Sequence, residues 1–336
     1  MAPRAHPVWR PPVPRPVVAL ALLGLAGAPL VLASCGGDHG VFTGAGDGAR
    51  RISSIGWFMI VTGTVIAVGF YALLVWAVVR GGRGRRWSED AVVLAGGVAL
   101  PVVVIVVLTV LSLGALDARG GTGDLRIDVI GHQYWWEIRY PDRGVTTANE
   151  FRIPVGRRVE VTLTSDDVIH SFWLPALDGK VDMVPGHTNH LVLTAREAGL
   201  YRGQCAEYCG LQHARMAFVV QASPPAAFDR WLAGQARDAA APRTASQQAG
   251  LEAFLTLPCA SCHTIRGTGA GGTAGPDLTH LASRSTLAAG VIPNERGQLG
   301  GWIANSQTIK PGNLMPPIPM DPSQLQGLLD YLQSLR

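Results

Sequence analysis

The stretch Cys205-Ala-Glu-Tyr-Cys209-Gly-Leu-Gln-His213-Ala-Arg-Met216 concentrates metal-binding side chains within twelve positions. It holds two thiols, an imidazole and a thioether, and a second imidazole, His170, stands upstream in Val-Ile-His-Ser-Phe-Trp-Leu-Pro. Thiolate, imidazole and weak thioether ligands are typical of copper sites, whereas calcium and magnesium take oxygen ligands. The stretch therefore predicts a copper site that transfers electrons.

The spacing of the two cysteines indicates a site for two metal ions. Two cysteines four positions apart on a curved loop can both point inward, and both thiolates can then bridge a pair of ions. One imidazole for each ion completes the set, with Met216 as an axial thioether and the backbone carbonyl of Glu207 as a second axial group. Cys2His2 is also a zinc ligand set. Zinc stays as the alternative, although it leaves Met216 unexplained.

The composition predicts a membrane protein with two or three units. The 336 residues are 48% hydrophobic and only 15% charged, which is too apolar for a purely soluble chain. The net charge of +4 comes without a basic run, so nucleic acid is not an expected partner. Each of the five cysteines has a candidate chemical role, so a disulfide framework is not expected. Cys205 and Cys209 can still form a disulfide when their metal is missing.

Residues 1–34 have the pattern of a secretory signal peptide, with arginines before an apolar segment at 17–32. The segment ends in Leu32-Ala-Ser-Cys35, which resembles a bacterial lipobox. That resemblance implies cleavage before Cys35 and acylation of its thiol. An ordinary signal peptide and an uncleaved span with an incidental cysteine are the alternatives.

Residues 52–117 predict a transmembrane hairpin. The segments 55–79 and 91–116 contain no charged residue, and each is long enough to cross a hydrocarbon core of about 30 Å. Pro101 is tolerable in a membrane helix. The connection between the two segments carries four arginines. By the positive-inside rule, this connection lies in the cytoplasm. Everything after Asp117 is then on the outer face of the membrane.

The sequence pattern of residues 118–222 is typical of a small β domain. Apolar and polar residues alternate at 125–130 and 158–163, and further short strand patterns occur at 190–194 and 216–221. Glycine, proline and aspartate separate these segments, which predicts a sandwich or barrel. On such a scaffold, we expect the metal-binding residues on loops between strands.

Residues 223–245 predict a linker with a short helix at 226–235, and residues 246–336 a helical domain. Cys259-Ala-Ser-Cys262-His263 is a covalent haem c attachment motif. A thioredoxin-like pair and half a zinc site are alternatives that do not explain His263. For the sixth iron ligand the sequence offers Met315, with Met320 as the second choice.

Two further expectations concern the C-terminal part of the chain. Leucines at helical spacing in 322–336 predict a helix that packs on the first helix of this part, near 247–257. The basic residues Arg266, Arg284, Arg296 and Lys310 are expected to be solvated surface charges. An approach to the haem propionates or to a partner is the alternative.

These motifs together resemble subunit II of a haem–copper cytochrome c oxidase over roughly residues 52–222. The resemblance implies a cupredoxin-like sandwich and the dinuclear copper centre CuA. It implies as ligands His170, Cys205, Glu207 through its carbonyl oxygen, Cys209, His213 and Met216. It also implies that the Glu207 side chain binds magnesium at the interface with subunit I.

Gly131-His-Gln-Tyr-Trp-Trp-Glu belongs to the same resemblance, which implies that one aromatic residue of the run accepts electrons. Tyr134, Trp135 and Trp136 are the candidates, and Tyr134 stands where the family usually has tryptophan. Core packing is the alternative for these rings. A second departure lies before Pro101, where many relatives carry a glutamate that helps to admit protons. Glu89 is the nearest acid, and no proton role is assigned to it.

The C-terminal part resembles a class I cytochrome c, with Gly275-Pro-Asp-Leu278 and Asn313-Leu-Met315 as further matches. A subunit II fused to such a domain resembles the caa-type oxidases of bacteria. The expected route runs from an external donor, such as a cytochrome c or the bc complex, through haem c and CuA to subunit I. Oxygen is there reduced to water with proton translocation.

The expected class is thus a cytochrome-c oxidase subunit in the bacterial cytoplasmic membrane, with subunits I and III as partners. A membrane-anchored electron shuttle or copper-handling protein is an alternative that copurification with a large haem-bearing subunit would exclude. Nitrous oxide reductase shares the copper motif but needs a large propeller domain, for which this chain has no room.

Overall fold

The computed structural model describes residues 40, 42–80, 88–117 and 121–336. The predicted signal peptide and Cys35 lie outside the described residues. The chain begins with helix α1 (Asp47–Arg80), and a second apolar segment joins α2 (Glu89–Val92), a π-helical stretch (Val93–Ala99) and α3 (Leu100–Asp117). Pro101 has no N–H to offer the preceding turn, and the wider π turns lie directly before it.

Two helices in the described part of the chain are long and apolar enough to cross a membrane. They are Asp47–Ala77, with mean hydropathy 2.3, and Asp90–Leu116, with mean hydropathy 2.9. Their most apolar parts have no buried residues within the structure. An apolar helix without protein cover is suited to a lipid environment.

The first turn of α1 is docked on the β domain. The backbone N–H of Gly46 donates to Ala176 O at 3.1 Å, and that of Ala49 donates to Leu177 O at 2.9 Å. Asp47 also pairs with Arg196 at 2.5 Å between Oδ1 and Nε. The helix therefore starts eight residues before the predicted apolar span, because its first turn is a contact with protein rather than with lipid.

The middle of the chain is a sandwich of two five-stranded sheets. One sheet has the order β3-β2-β1-β5-β8 and the other β4-β10-β9-β6-β7. The strands are β1 (Leu125–His132), β2 (Trp135–Tyr140), β3 (Val145–Ala148), β4 (Glu150–Pro154), β5 (Val159–Ser165), β6 (His170–Trp173), β7 (Val181–Met183), β8 (Asn189–Leu193), β9 (Gly199–Cys205) and β10 (Ala217–Ser223).

The core of the sandwich follows from the alternation in its strands. In β1, Ile127 and Val129 are buried, and β5 runs parallel to it with Val161 opposite Ile127. In the second sheet, the rings of Phe172 and Phe218 stack with centroids 4.5 Å apart. The four predicted strand segments are β1, β5, β8 and β10, and the cupredoxin-like sandwich is confirmed.

Helix α4 (Pro225–Gln235) follows the sandwich at once and packs on it. Phe228 and Leu232 are buried in the sandwich core, and the Trp231 ring lies 5.7 Å from that of Tyr140. The helix falls within the segment predicted as a linker. Its apolar face belongs to the β domain, so the connection without helix starts after residue 235.

The C-terminal part is a small helical domain, as predicted. Its helices are α5 (Ala245–Thr256), α6 (Cys259–Cys262), α7 (Arg296–Ala304), α8 (Ser306–Ile309) and α9 (Pro322–Leu332). Two short ladders join β11 (Thr264–Ile265) to β12 (Ala270–Gly271) and β13 (Thr286–Leu287) to β14 (Ile292–Pro293). Helix α9 packs on α5 as predicted, and a Cβ added at Gly250 would lie 2.0 Å from Gly327 O. The two glycines allow this close crossing.

Candidate metal sites

Strands β9 and β10 position the loop that carries the predicted copper ligands. Cys205 ends β9, and its N–H donates to Met216 O at 2.9 Å, which closes the loop next to the start of β10. Cys205 and Cys209 are both buried free thiols, with 3.8 Å between their Sγ atoms. This distance is too long for a disulfide and short enough for both sulfurs to bind the same ion.

The two imidazoles and the other predicted ligands surround this thiol pair. His170 Nδ1 lies 3.8 Å from Cys205 Sγ, and His213 Nδ1 lies 3.8 Å from Cys209 Sγ. Met216 Sδ is 3.8 Å from Cys209 Sγ, and Glu207 O is 3.1 Å from Cys205 Sγ. The structure thus brings together all six predicted donor groups, from strand β6 and from the loop after β9.

A single tetrahedral ion fits this arrangement poorly. Four donors at about 2.0–2.3 Å from one zinc ion lie within about 4 Å of one another. The donor atoms of His170, Cys205 and Cys209 all lie within 4.8 Å of one another, and among the described residues His213 does not join that group. Each imidazole adjoins a different thiol, and this favours two ions that share the thiolates.

The protonation of the thiol pair also favours a cation. A hydrogen bond from Cys209 lowers the pKa of Cys205 to about 3. The neighbouring Cys205 sulfur and burial in turn raise the pKa of Cys209. The two thiols therefore share one proton, because two bare thiolates at 3.8 Å repel each other. Positive metal charge relieves this repulsion and permits both thiolates.

His170 is oriented by groups that the sequence analysis missed. Its Nε2 lies 2.8 Å from Asp167 Oδ1, which leaves Nδ1 to face the thiols. A Cβ at Gly131 would lie 2.8 Å from the His170 ring, so the glycine clears space for it. A carboxylate behind a metal-binding imidazole fixes its tautomer and orientation. The acidic pair Asp166-Asp167 just before His170 was the available signal.

The predicted haem motif lines an apolar cavity of the C-terminal domain, which is called the haem cavity below. Cys259, Cys262 and His263 contribute to its wall, together with Leu299 and Ile303. The thiols of both cysteines are free. The cavity wall therefore combines two free thiols and an imidazole with apolar side chains, which is the lining that a covalently attached haem needs.

The His263 ring is held in one orientation. Its Nδ1 lies 2.8 Å from Pro276 O, within the stretch Gly275–Leu278 that carries the resemblance to a class I cytochrome c. A Cβ at Gly275 would lie 2.7 Å from Cε1 of the same ring. Burial lowers the pKa of His263, which favours the neutral imidazole. With Nδ1 engaged, Nε2 is the nitrogen that remains for a metal.

The structure separates the two candidate methionines. Met315 lines the haem cavity, whereas Met320 packs partly buried against the core of the C-terminal domain and is not among the residues of the cavity wall. The backbone of Met315 is held at both ends: Asn313 Oδ1 accepts from its N–H at 2.8 Å, and Ser306 Oγ donates to its carbonyl at 2.6 Å. This geometry favours Met315 as the sixth ligand.

Two of the four basic residues expected on the surface lie instead in the cavity wall. Lys310 is 2% exposed, and Arg284 also lines the cavity. The expectation was wrong for both, because each side chain donates to backbone carbonyls inside the fold. Arg284 Nε is buried and has no hydrogen-bond partner among the described residues. Arg296 pairs with Asp330 at 2.8 Å on the surface, as expected.

The aromatic run divides between the sandwich core and the cavity. Trp136 is fully buried, with its ring 5.2 Å from that of Phe218. Trp135 stacks on His132 with ring centroids 4.5 Å apart, and both Tyr134 and Trp135 line the haem cavity. Core packing therefore accounts for Trp136, and the other two rings border both domains.

Tyr134 also contacts the copper loop. The backbone N–H of Leu211 donates to its hydroxyl at 3.0 Å, and the side chain of the preceding Gln133 donates to Cys209 O at 2.6 Å. Gly210 has φ +121°, and a Cβ there would lie 2.6 Å from Tyr134 Oη. Both its backbone conformation and this close approach require glycine.

Comparisons with known proteins agree with the two domains of the fold. Residues 143–223 match the family model described as cytochrome c oxidase subunit II, periplasmic domain, and residues 247–336 match the cytochrome c model. Cytochrome c oxidase subunit 2 of Alkalihalophilus pseudofirmus is 37% identical over 70% of this chain and 71% of its own length. The chain belongs to the cytochrome c oxidase subunit 2 family.

Further similar proteins lie in the same family. Cytochrome c oxidase subunit 2 of Bacillus subtilis is 30% identical over 74% of this chain and 73% of its own length. The crystal structure of the periplasmic domain of subunit II from Bradyrhizobium japonicum covers 34% of this chain and 95% of its own, at 31% identity and a TM-score of 0.34. The predicted resemblance is confirmed, and the subunit carries a cytochrome c domain after its β-sandwich domain.

Proposed function

We propose that this subunit 2 accepts electrons for a bacterial haem–copper oxidase through a covalent haem c and passes them on by a dinuclear copper centre. When bound, haem c and CuA would supply reversible one-electron transfer from an external donor towards the haem of subunit I. The observation that carries the proposal is that Tyr134 lines the haem cavity and also accepts a hydrogen bond from the copper loop.

The copper ions would be held by the six groups around the two thiols. Cys205, Cys209, His170 and His213 would hold the two ions, with the Met216 thioether and the Glu207 carbonyl as the remaining ligands. The sandwich core fixes the ends of this loop, so its donors need little movement when the charge of the site changes. A rigid scaffold of this kind keeps reorganisation small.

The haem would be held by thioether bonds to Cys259 and Cys262, with His263 and Met315 as axial ligands and Met320 as the second choice. The buried and unpartnered Arg284 Nε supports this fit, because a haem carries propionate groups and a buried donor needs an acceptor. The thiols would add across the vinyl groups of the haem without an external oxidant.

The aromatic run would mediate electron transfer between the centres, with Tyr134 and Trp135 at the cavity wall and Trp136 beside His170. The Trp136 and His170 ring centroids are 6.1 Å apart. Tyr134 at the position of the usual tryptophan is explained if the donor is the subunit's own haem domain. A partner that is always adjacent does not need the docking surface used by a diffusing donor.

The two apolar helices would form a multi-pass anchor in the bacterial cytoplasmic membrane, with both redox domains on the outer face. The docked first turn of α1 supports this topology, because it puts the start of that helix at the sandwich. The partners would be subunits I and III and an external donor, such as a cytochrome c or the bc complex. Oxygen reduction coupled to proton translocation would take place in subunit I.

A magnesium ion would bind the Glu207 side chain at the contact with subunit I. That carboxylate is half-exposed, and one of its oxygens lies 3.7 Å from Lys180 Nζ. Exposure at the copper loop leaves it available to a neighbouring subunit, and a hard oxygen ligand suits magnesium.

Electron paramagnetic resonance of the purified full-length chain, with copper, zinc and haem quantified on the same sample, tests the proposal. We expect one covalent haem, two copper ions and the signal of one electron shared equally by both. Zinc in place of copper, or a signal from a single isolated copper ion, would overturn the assignment of the centre. A chain without covalent haem would overturn the role of the C-terminal domain.

A further inference from the structure

Lys310 occupies an unusual place in this chain. The sequence has only two lysines among its 28 lysine and arginine residues. Lys310 is almost fully buried at the boundary between the sandwich and the C-terminal domain, called the haem domain below. Its Nζ donates to Ala288 O of the haem domain at 2.9 Å and to Tyr134 O of the sandwich at 2.9 Å. One side chain thus joins the backbones of the two domains inside the wall of the haem cavity.

The residues beside Lys310 contact the copper loop as well. Arg215 donates to Ile309 O at 2.8 Å, and Gln212 donates to Pro311 O at 2.5 Å. A Cβ at Gly312 would lie 2.5 Å from Leu211 Cδ2. Residues 309–312 therefore rest on the copper loop, and Met315 follows directly after this contact.

On the sandwich side, the same contact leads to a proposed copper ligand. The carbonyl of Tyr134 accepts from Lys310, and the hydroxyl of Tyr134 accepts from Leu211 N at 3.0 Å. Gln133 binds Cys209 O. The position of Tyr134 is thus determined from one side by the Met315 loop and from the other by the copper loop.

We propose that Lys310 is a positioning residue for electron transfer between the haem and copper centres, holding Tyr134 and the Met315 loop in one fixed arrangement. The inference rests on the proposed function. The step that it assists moves one electron from ferrous haem to the oxidised copper centre, and no bond forms or breaks. Lysine suits the place because its compact amine carries several donors and reaches both carbonyls.

A second contact between the domains provides a matched control. The Glu150 carboxylate accepts from Ser285 N at 2.8 Å, Ser285 Oγ at 2.9 Å, Thr286 N at 2.7 Å and Thr286 Oγ1 at 2.5 Å. Glu150 is not among the residues of the haem cavity wall. Glu150→Gln therefore weakens docking of the domains without changing what Lys310 holds.

The first measurement is amide hydrogen exchange on the full-length chain without haem or copper. Lys310→Met should accelerate exchange of the Leu211 amide, whose acceptor is the Tyr134 hydroxyl, by at least about tenfold, since the loss of a buried hydrogen bond has this order of effect. Glu150→Gln should leave that amide unchanged and accelerate exchange at Ser285 and Thr286. Unchanged exchange of Leu211 in Lys310→Met would overturn the inference.

The second measurement follows haem oxidation and copper reduction after a light-driven electron is delivered to the haem of the assembled oxidase. Lys310→Met should slow the internal transfer by about tenfold, since small positional errors have effects of this size. The rate at which an external donor reduces the haem should not change. Lys310→Gln, which keeps an N–H donor, should recover part of the internal rate.

The outcomes separate this inference from the proposed function. Loaded variants that transfer electrons at the wild-type rate overturn the role of Lys310 alone, and so does an equal slowing in Glu150→Gln. If Lys310→Met does not take up haem, the rate of internal transfer is measured in Lys310→Gln instead. A wild-type rate in that variant overturns the role of Lys310. A wild-type chain without two copper ions and a covalent haem overturns the proposed function instead.

Discussion

The copper loop and the haem cavity place their ligands in different ways. In the sandwich, Cys205 and Cys209 are in contact with each other, and each has an imidazole 3.8 Å away. In the C-terminal domain, His263 and Met315 belong to the wall of one apolar cavity, with leucine and isoleucine side chains around them. The proposed copper ligands are thus assembled by the protein, whereas the proposed haem ligands border an apolar space that a large apolar group would fill.

This difference follows from the core that each domain has of its own. The sandwich buries aromatic rings such as Trp136, Phe172 and Phe218 between its two sheets. The haem domain has a smaller core, and residues such as Phe254, Leu299 and Leu328 belong both to that core and to the cavity wall. We therefore expect haem to be part of the haem domain's core and copper to be a late addition to a sandwich that folds without it.

The strongest test removes the haem. Cys259→Ser combined with Cys262→Ser should abolish covalent attachment and lower the unfolding free energy of the haem domain by at least about 3 kcal/mol, as for truncated core side chains. Thermal unfolding followed in both domains, with haem staining of the denatured chain, measures this. Ser261→Ala, an exposed change between the two cysteines, is the control. Equal loss of stability in both domains would contradict the comparison.

The corresponding change in the sandwich is Cys209→Ser. We expect it to abolish the dinuclear copper signal, because one bridging thiolate is lost. The unfolding free energy of the metal-free sandwich should change by less than about 2 kcal/mol, since the side chain is small and the aromatic core remains. Copper titration and chemical unfolding of metal-free protein measure the two effects. If the Cys209→Ser sandwich did not fold, the contacts of the ligand side chains, and not the aromatic core, would be what stabilises the loop.

The sequence located the candidate ligands of both sites better than the residues around them. Cys205, Cys209 and His213 are close along the chain, and a haem motif is contiguous, so local spacing reveals them. Asp167 behind His170 and Lys310 against Tyr134 were not predicted, because each contact joins segments through the tertiary fold. Short strands such as β6 and β7 were missed as well, since three or four residues are too few for a visible alternation.

Asp167 offers a smaller effect at the copper site. Asp167→Asn keeps the size of the side chain but removes the carboxylate that orients His170, so we expect copper affinity to fall by about 10–100-fold. Asp166→Asn is the control, because Asp166 is exposed and its carboxylate contacts His132, at 3.6 Å, rather than His170. Competition with a chelator of known affinity measures the change. Equal affinity of both variants would show that the β6 backbone alone orients His170.

The last prediction concerns the boundary between the two regions and depends on pH. Burial lowers the pKa of Lys310 to about 7, whereas an unfolded chain keeps a lysine pKa of about 10.4. Between these values the unfolded state binds a proton that the folded state does not. The stability contributed at Lys310 therefore rises with pH across this window, by up to about 1.4 kcal/mol per pH unit.

Lys310→Met removes this dependence. The stability of the variant relative to the wild type should thus be most favourable below pH 7 and should decline steadily towards pH 9. Denaturant unfolding of the metal-free chain at several pH values gives this difference, from which groups common to both proteins cancel. Lys180→Met is the matched control: a hydrogen bond with Asp182 raises the pKa of this exposed lysine, so its contribution should be constant between pH 7 and 9. A pH-independent difference for Lys310→Met would mean that the Lys310 side chain stays protonated in the folded state. Its charge would then be stabilised by a group other than the carbonyls of Tyr134 and Ala288.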